Sequence, residues 1–136
     1  MDVTQPVSGE EPVLVNTDKL RTFLILGLDD YVEMLGDVMG EVPEQLERIR
    51  SSIEQGDFAD CRQAAHSLRG ILGYFGCAAM TTRLGQLEGR QSFAPEEAAT
   101  IHAEFQTLWS ASLAAIRQWE KSIPDFAGTE VIFPHS

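Results

Sequence analysis

From Asp18 to Ser122 the apolar residues recur at steps of three and four, and neither strand-like alternation nor a hairpin turn pair appears before the last dozen residues. A chain patterned this way can bury its apolar surface only by packing helix on helix, so the expected fold class is all-α. Residues 1–16 are polar and acidic and read as a flexible N-terminal tail. Thr17 is the expected N-cap of a short first helix, ended by Gly27 or by the Asp29-Asp30 pair.

A second helix is expected from Asp30 to Gln55, with Val32, Leu35, Met39, Val42, Leu46, Ile49 and Ile53 on its buried side. Gly40 and Pro43 interrupt that pattern. Proline removes one backbone hydrogen bond and crowds the preceding turn, which predicts a kink or short break there. Gly56-Asp57 punctuates the chain, and Asp57 caps a third helix whose seam is Phe58, Cys61, Ala65, Leu68, Leu72 and Phe75, with Gly76 as its stop. A fourth helix from about Ala78 to Arg90 buries Met80, Leu84 and Leu87. After the loop QSFAP, with Pro95 in a first turn, a last helix runs to about Ser122 on the seam Ala98, Ile101, Phe105, Leu108, Ser112, Ile116 and Trp119. Four amphipathic helices with short connections predict an antiparallel four-helix bundle over residues 17–123. The short first helix lies across it, and residues 124–136 form a C-terminal tail.

With 136 residues, 43% of them hydrophobic, the chain suffices for one domain with a real core. A formal net charge of −11 excludes general affinity for nucleic acid or an anionic membrane, since both need a basic face. Cys61 and Cys77 make no disulfide framework and no zinc spacing, which suits small buried helix residues in a reducing compartment. The start MDVTQPVSGEEP lacks the basic and apolar regions of a signal peptide, and the run Leu20–Leu28 is far short of the ~20 residues a membrane span needs. The expected location is the cytoplasm.

The segment AAHSLRGILGYFG, Ala64 to Gly76, puts a histidine on the third helix among glycines that a helix normally avoids. At about 100° per residue His66 lies roughly 140° from the apolar seam, so it faces solvent, with Gly73, Gly70, Arg62 and Arg69 on the same side. An incidental surface histidine is one reading of this. The two glycines argue for another, because each costs on the order of 1 kcal/mol relative to alanine inside a helix, and close approach of a second surface would explain them. Glycines that merely end the helix early fit less well, since the seam continues through Leu72 and Phe75. Between Cys61 and Arg90 four arginines (62, 69, 83 and 90) face one acid, Glu88, so this stretch carries +3 in an otherwise acidic chain. An exposed imidazole is in good part a neutral nucleophile near neutral pH, and Arg69, one turn on, could hydrogen-bond an anionic group carried on it.

These residues resemble the histidine-containing phosphotransfer (HPt) domain motif, a histidine followed by x-Leu-Lys/Arg-Gly and, several residues later, another glycine. His66, Leu68, Arg69, Gly70 and Gly76 carry the match. The flanking QGDFADCRQAAH and LGQLE are also similar to the family, and the resemblance extends over roughly Lys19 to Ser122. It implies a phosphorelay in two-component signalling: Nε2 of His66 takes a phosphoryl group from an aspartate of one receiver domain, holds it as phosphohistidine and passes it to a second. By the same resemblance Arg69 would stabilise the phosphoryl group and Gly70 would give the partner room. Arg62, Gln63 and Gly73 would flank the docking surface by geometry, and Phe23 and Leu24 of the first helix could extend it or, equally, serve only to cover the core. The family more often has lysine where Arg69 stands and a small polar residue where Ile71 stands, and both departures bear on partner preference and rate.

No nucleotide-binding loop or kinase constellation occurs, so the chain is expected to be a carrier without ATP-dependent kinase activity of its own. The expected partners are response-regulator receiver domains and a hybrid histidine kinase, with Mg²⁺ supplied by the receiver. No cofactor or metal is expected on this chain, which would act as a monomer. Cys61 and His66 diverge by about 140° on the helix, which opposes joint metal ligation, and His102 and His135 look incidental. The alternative is a non-catalytic adaptor that keeps the bundle and binds a receiver or kinase without carrying phosphate. An exposed, uncrowded His66 separates the two in favour of the carrier.

Overall fold

The computed structural model describes residues 13–124, and among them every regular element is a helix. In chain order these are α1 (Thr17–Ile25), α2 (Leu28–Gln55), α3 (Phe58–Tyr74), α4 (Ala78–Glu88) and α5 (Glu97–Lys121). Contacts run from α2 to α3, α3 to α4, α4 to α5 and α5 back to α2, while α1 packs on α2 and α3. The core fills this ring. The expected tails at 1–12 and 125–136 lie outside the described residues.

Residues 13–16 of the expected N-terminal tail are described and are tied to the body. The Asn16 amide donates to the Gly76 carbonyl at 2.6 Å, and Leu14 and Val15 are half-buried. Asn16, not Thr17, caps α1, its Oδ1 accepting from the Asp18 amide at 3.0 Å. Both side chains can cap, and the anchor at Gly76 puts Asn16 at the non-helical position a cap requires. The aromatic ring of Phe23 then fastens α1 to the core, edge-on to Phe75 at 5.2 Å and to Tyr31 at 6.0 Å.

α2 runs unbroken through Gly40 and Pro43, so of the expected kink or short break the break does not occur. Pro43 is exposed, while Val42 and Leu46 on either side of it are buried and hold the two halves on one core. The buried set is Tyr31, Leu35, Val38, Val42, Leu46, Ile49 and Ile53. Val32 and Met39 are only half-buried, because α2 packs against α3 on one side and α5 on the other and its buried stripe is correspondingly wide. On α5, Trp109 is buried where Leu108 was expected. Trp109 faces α2 and lines a small cleft with Pro43 and Leu46, whereas Leu108 lines an open groove toward Ala79 and Arg83 of α4. α5 begins at Glu97, with Pro95 in the preceding turn, its carbonyl accepting from the Ala98 amide at 3.1 Å.

The α2–α3 and α3–α4 corners position the site. Asp57 caps α3, accepting from the Asp60 amide at 3.2 Å. Asp60 in turn takes Arg48 Nη2 at 2.6 Å and the Ser52 hydroxyl at 2.7 Å, and these donors hold its carboxyl well down, at about 2. At the other end Gly76 reverses the chain with φ 64°, and the Cys77 amide donates back to the Leu72 carbonyl at 3.2 Å. A Cβ at Gly76 would run into the Asn16 carbonyl oxygen and come within 3.1 Å of Lys19 Cβ.

Two outcomes follow from these contacts. Gly76→Ala combines a left-handed backbone with a clash against fixed main chain and is expected to lower stability by about 2 kcal/mol or more; a chevron or thermal melt reads this, and an unchanged Tm would contradict the turn. Glu120 is buried, accepting the Tyr31 hydroxyl at 2.9 Å. Burial pushes its carboxyl up, against the Tyr31 hydrogen bond and the Arg117 charge that pull it down. A raised folded pKa means a stabilising contribution present below the unfolded value and lost as pH rises through the folded one. Glu120→Gln keeps an acceptor for Tyr31 and removes the charge, so its Tm should exceed wild type at pH 7 by a few degrees, with the gap closing toward pH 4.

Candidate functional site

α3 buries Cys61, Ala64, Ala65, Leu68 and Leu72, which leaves His66 on the opposite side with its side chain 69% exposed. The helix is well formed there despite Gly70 and Gly73. Among the described residues a Cβ built at either glycine meets nothing within 4 Å, so no packing there demands them. They leave open helix surface next to the imidazole.

The tight turn at Gly76 folds α4 back along α3, and this brings Glu88 to His66. Glu88 Oε1 lies 3.0 Å from His66 Nδ1, while Oε2 accepts from Arg69 Nε at 2.5 Å and Oε1 from Arg69 Nη2 at 3.3 Å. Partial burial pushes the Glu88 carboxyl up, but the hydrogen bonds from Arg69 and His66 and the Arg69 charge outweigh it and hold the group below its ordinary range. An ionised carboxylate can only accept, so the proton in the contact belongs to Nδ1. In the neutral ring Nε2 then carries the lone pair.

The remaining expected residues are distributed around this cluster. Gly70 and Gly73 line a groove of about 1010 Å³ between α3 and α1, together with Phe23, Leu26, Ile71 and Tyr74. Leu26 and Tyr74 are largely exposed. Phe23 thus serves both groove and core, while Leu24 packs on the core and does not line the groove. Arg62 is half-buried and reaches the Arg90 carbonyl at 3.4 Å; Gln63 is exposed on α3. The arginine-rich stretch is not a bare basic face. Arg69 pairs with Glu88, Arg83 with Glu104 at 2.6 Å and Arg90 with Glu97 at 2.9 Å, the last two acids coming from α5.

Glu88 is the site residue that reading the sequence missed, where it entered only as the lone acid of a basic stretch. A signal was present: His66 and Glu88 stand at equal distance on either side of Cys77, where the α3–α4 turn lies, so a hairpin of helices pairs them. His102 is half-buried between helices, 3.8 Å from Glu47, and His135 lies outside the described residues. Cys61 and Cys77 are buried and unpaired, and burial pushes the Cys77 thiol up to about 12.

With this geometry in place, comparison with known proteins supplies the family. The sensor histidine kinase AruS of Pseudomonas aeruginosa is 29% identical over 94 residues, which is 69% of this chain and 9% of that protein. The chain therefore spans a small part of the length of that relative, and no solved structure matches. The Hpt domain matches residues 33–119, from the first turns of α2 to near the end of α5. His66, Arg69, Gly70 and Glu88 all fall inside it, and the chain belongs to the Hpt domain family, whose work is phosphotransfer in two-component signalling.

Proposed function

We propose that this chain relays a phosphoryl group between receiver-domain aspartates through Nε2 of His66. The observation that carries the reading is an exposed imidazole beside two helix glycines whose Cβ positions nothing among the described residues approaches. The Nε2 lone pair attacks the phosphorus of an aspartyl phosphate, and the P–O bond to the aspartate breaks with its electron pair leaving on the carboxylate. The resulting phosphohistidine gives the group to a second aspartate by the reverse exchange. Arg69 stabilises the charge on the transferring group, and Gly70 and Gly73 admit the partner. Nothing in the sequence supplies a nucleotide site, so phosphate arrives from a phosphorylated protein, a receiver domain or a hybrid histidine kinase, and the receiver brings the Mg²⁺.

The docking surface in this reading is the groove between α1 and α3. Its apolar lining and the exposed Leu26 and Tyr74 suit a partner helix, and it lies beside the histidine through Gly70 and Gly73. Residues 17–123 form the working unit, with α2 to α5 as an antiparallel four-helix bundle and α1 laid across it. The ring of helix contacts and the short connections support that arrangement. The chain acts as a cytoplasmic monomer; among the described residues no helix is long and apolar enough to cross a membrane.

Mixing the protein with phosphorylated receiver domains and following labelled phosphate should give an acid-labile, base-stable label that His66→Gln does not acquire. Binding without labelling would sink the relay and leave an adaptor. Gly70→Leu separates docking from folding. Leucine is the better helix former by about 1 kcal/mol and meets open space, so Tm should hold or rise while transfer from the receiver slows at least tenfold; unimpaired transfer would contradict the groove.

A further inference from the structure

We propose that the groove between α4 and α5 is the seat of the chain's own N-terminal segment, the residues that precede Val13. α4 packs closely on α3 but stands off from α5, and the space left between them is about 850 Å³. Small Ala79, Ala103 and Ala111 and the hydroxyl-bearing Thr82, Thr100 and Thr107 line it. His66 and Glu88 are not among its lining residues, so an occupant here leaves the imidazole uncovered.

The described start of the chain already enters this groove and sets a heading. Asn16 donates its amide to the Gly76 carbonyl at 2.6 Å, and two residues earlier the Leu14 carbonyl accepts from the Ala79 amide at 3.5 Å. Followed toward residue 1, the backbone therefore advances along α4 in the direction of Gln86, and the Leu14 side chain lines the groove on the way. At 1.5 Å per residue α4 rises about 10 Å from Ala79 to Gln86, and α5 about 16 Å from Thr100 to Ala111. About five extended residues, at ~3.3 Å each, cover the longer of these. Residues 8–12, Ser-Gly-Glu-Glu-Pro, supply that length. Pro12 brings no amide that needs a partner and biases Glu11 toward extended backbone, which keeps the segment on its heading.

Chemistry selects this face over the others. A segment with so little apolar surface needs a seat that admits its backbone closely and pairs its polar groups; the alanines provide the first and the threonines and Gln86 the second. Asp2, Glu10 and Glu11, with no Lys or Arg, give residues 1–12 a charge of −3. α2 turns Asp30, Glu33, Asp37 and Glu44 to solvent and repels such a segment. The groove instead holds Arg83, level with the point that Glu10 and Glu11 reach. A guanidinium carries five N–H donors, and Gln86 and Glu104 engage two of them, at 2.8 and 2.6 Å, so Arg83 can accept a further carboxylate. Seated there, the segment ties α4 to α5 and, through Leu14 and Asn16, ties both to the Gly76 corner.

A nitroxide attached at Ser8→Cys tests the seat, since Cys61 and Cys77 are fully buried and out of reach of the label. Paramagnetic relaxation of the Gln86 and Ala103 amides should exceed that of Asp37, exposed on α2, at least tenfold. Ala103→Trp fills the groove from an exposed position, so it should keep the helical circular dichroism and abolish that difference. Equal relaxation at the three amides overturns the proposal and leaves the groove open to a partner. Strongest relaxation at Thr22 and Ile71, in the groove between α1 and α3, or a difference unmoved by Ala103→Trp, overturns it too. So does relaxation of Gln86 in nitrogen-15 copies without nitroxide when unlabelled nitroxide-bearing copies are mixed in, which makes the occupant a second molecule.

Discussion

Everything at the site depends on which side of α3 is buried. Cys61, Ala64, Ala65, Leu68 and Leu72 lie at or near zero exposure against α2 and α4, and a helix clamped along that stripe has no rotational freedom left. His66, Arg69, Gly70 and Gly73 occupy the other side because 3.6 residues per turn puts them there. Small Ala64 and Ala65 in the buried stripe let neighbouring helices come close. The apolar half of α3 is therefore the support on which the exposed half is held still.

The second constraint is the turn at Gly76. A left-handed residue there reverses the chain within a few residues, and the Asn16 amide bonded to its carbonyl locks α1 onto the same corner. That one corner sets two registers: the register of α4 against α3, which delivers Glu88 to His66, and the position of α1, which builds the far wall of the groove. The glycine of the motif farthest from the histidine is thus a backbone device, whereas Gly70 and Gly73 are clearances. Residues of one type within one short segment have different physical reasons to be there, and only φ and the space around each Cβ separate them.

The apolar periodicity of α3 was enough to place His66 in solvent, and the caps Asp57 and Gly76 were readable because each has a local chemistry. What escaped the sequence is non-local. Glu88 is 22 residues from His66, and its contact exists only once the hairpin is closed. The pairing of Arg83 and Arg90 with acids of α5 depends likewise on tertiary approach, so a count of charges along the chain overstated how basic the face is. The exchange of Leu108 for Trp109 has the same origin: both suit an apolar stripe, and only the tighter packing of α5 on α2 than on α4 decides between them. Pro43 left a choice between a kink and a break for the converse reason. Its local preference for breaking a helix was real, and burial on both sides of it prevailed.

Magnitudes explain how α3 tolerates its own site. Gly70, exposed in the interior of α3, and Gly73, half-buried in its last turn, together cost at most roughly 2 kcal/mol relative to alanine. Against that, fully burying leucines such as Leu68 and Leu72 contributes about 1.5–3 kcal/mol each relative to leaving them exposed. The helix forms because its packed side outweighs what its open side gives up. That surplus also fixes where the cost can be borne: a glycine at position 68 or 72 would remove the packing itself, while one at 70 or 73 removes nothing but helix propensity. The open surface around His66 accordingly sits on the side of α3 where the fold can accommodate it, and the same stripe that supports the helix determines the direction in which the histidine faces solvent.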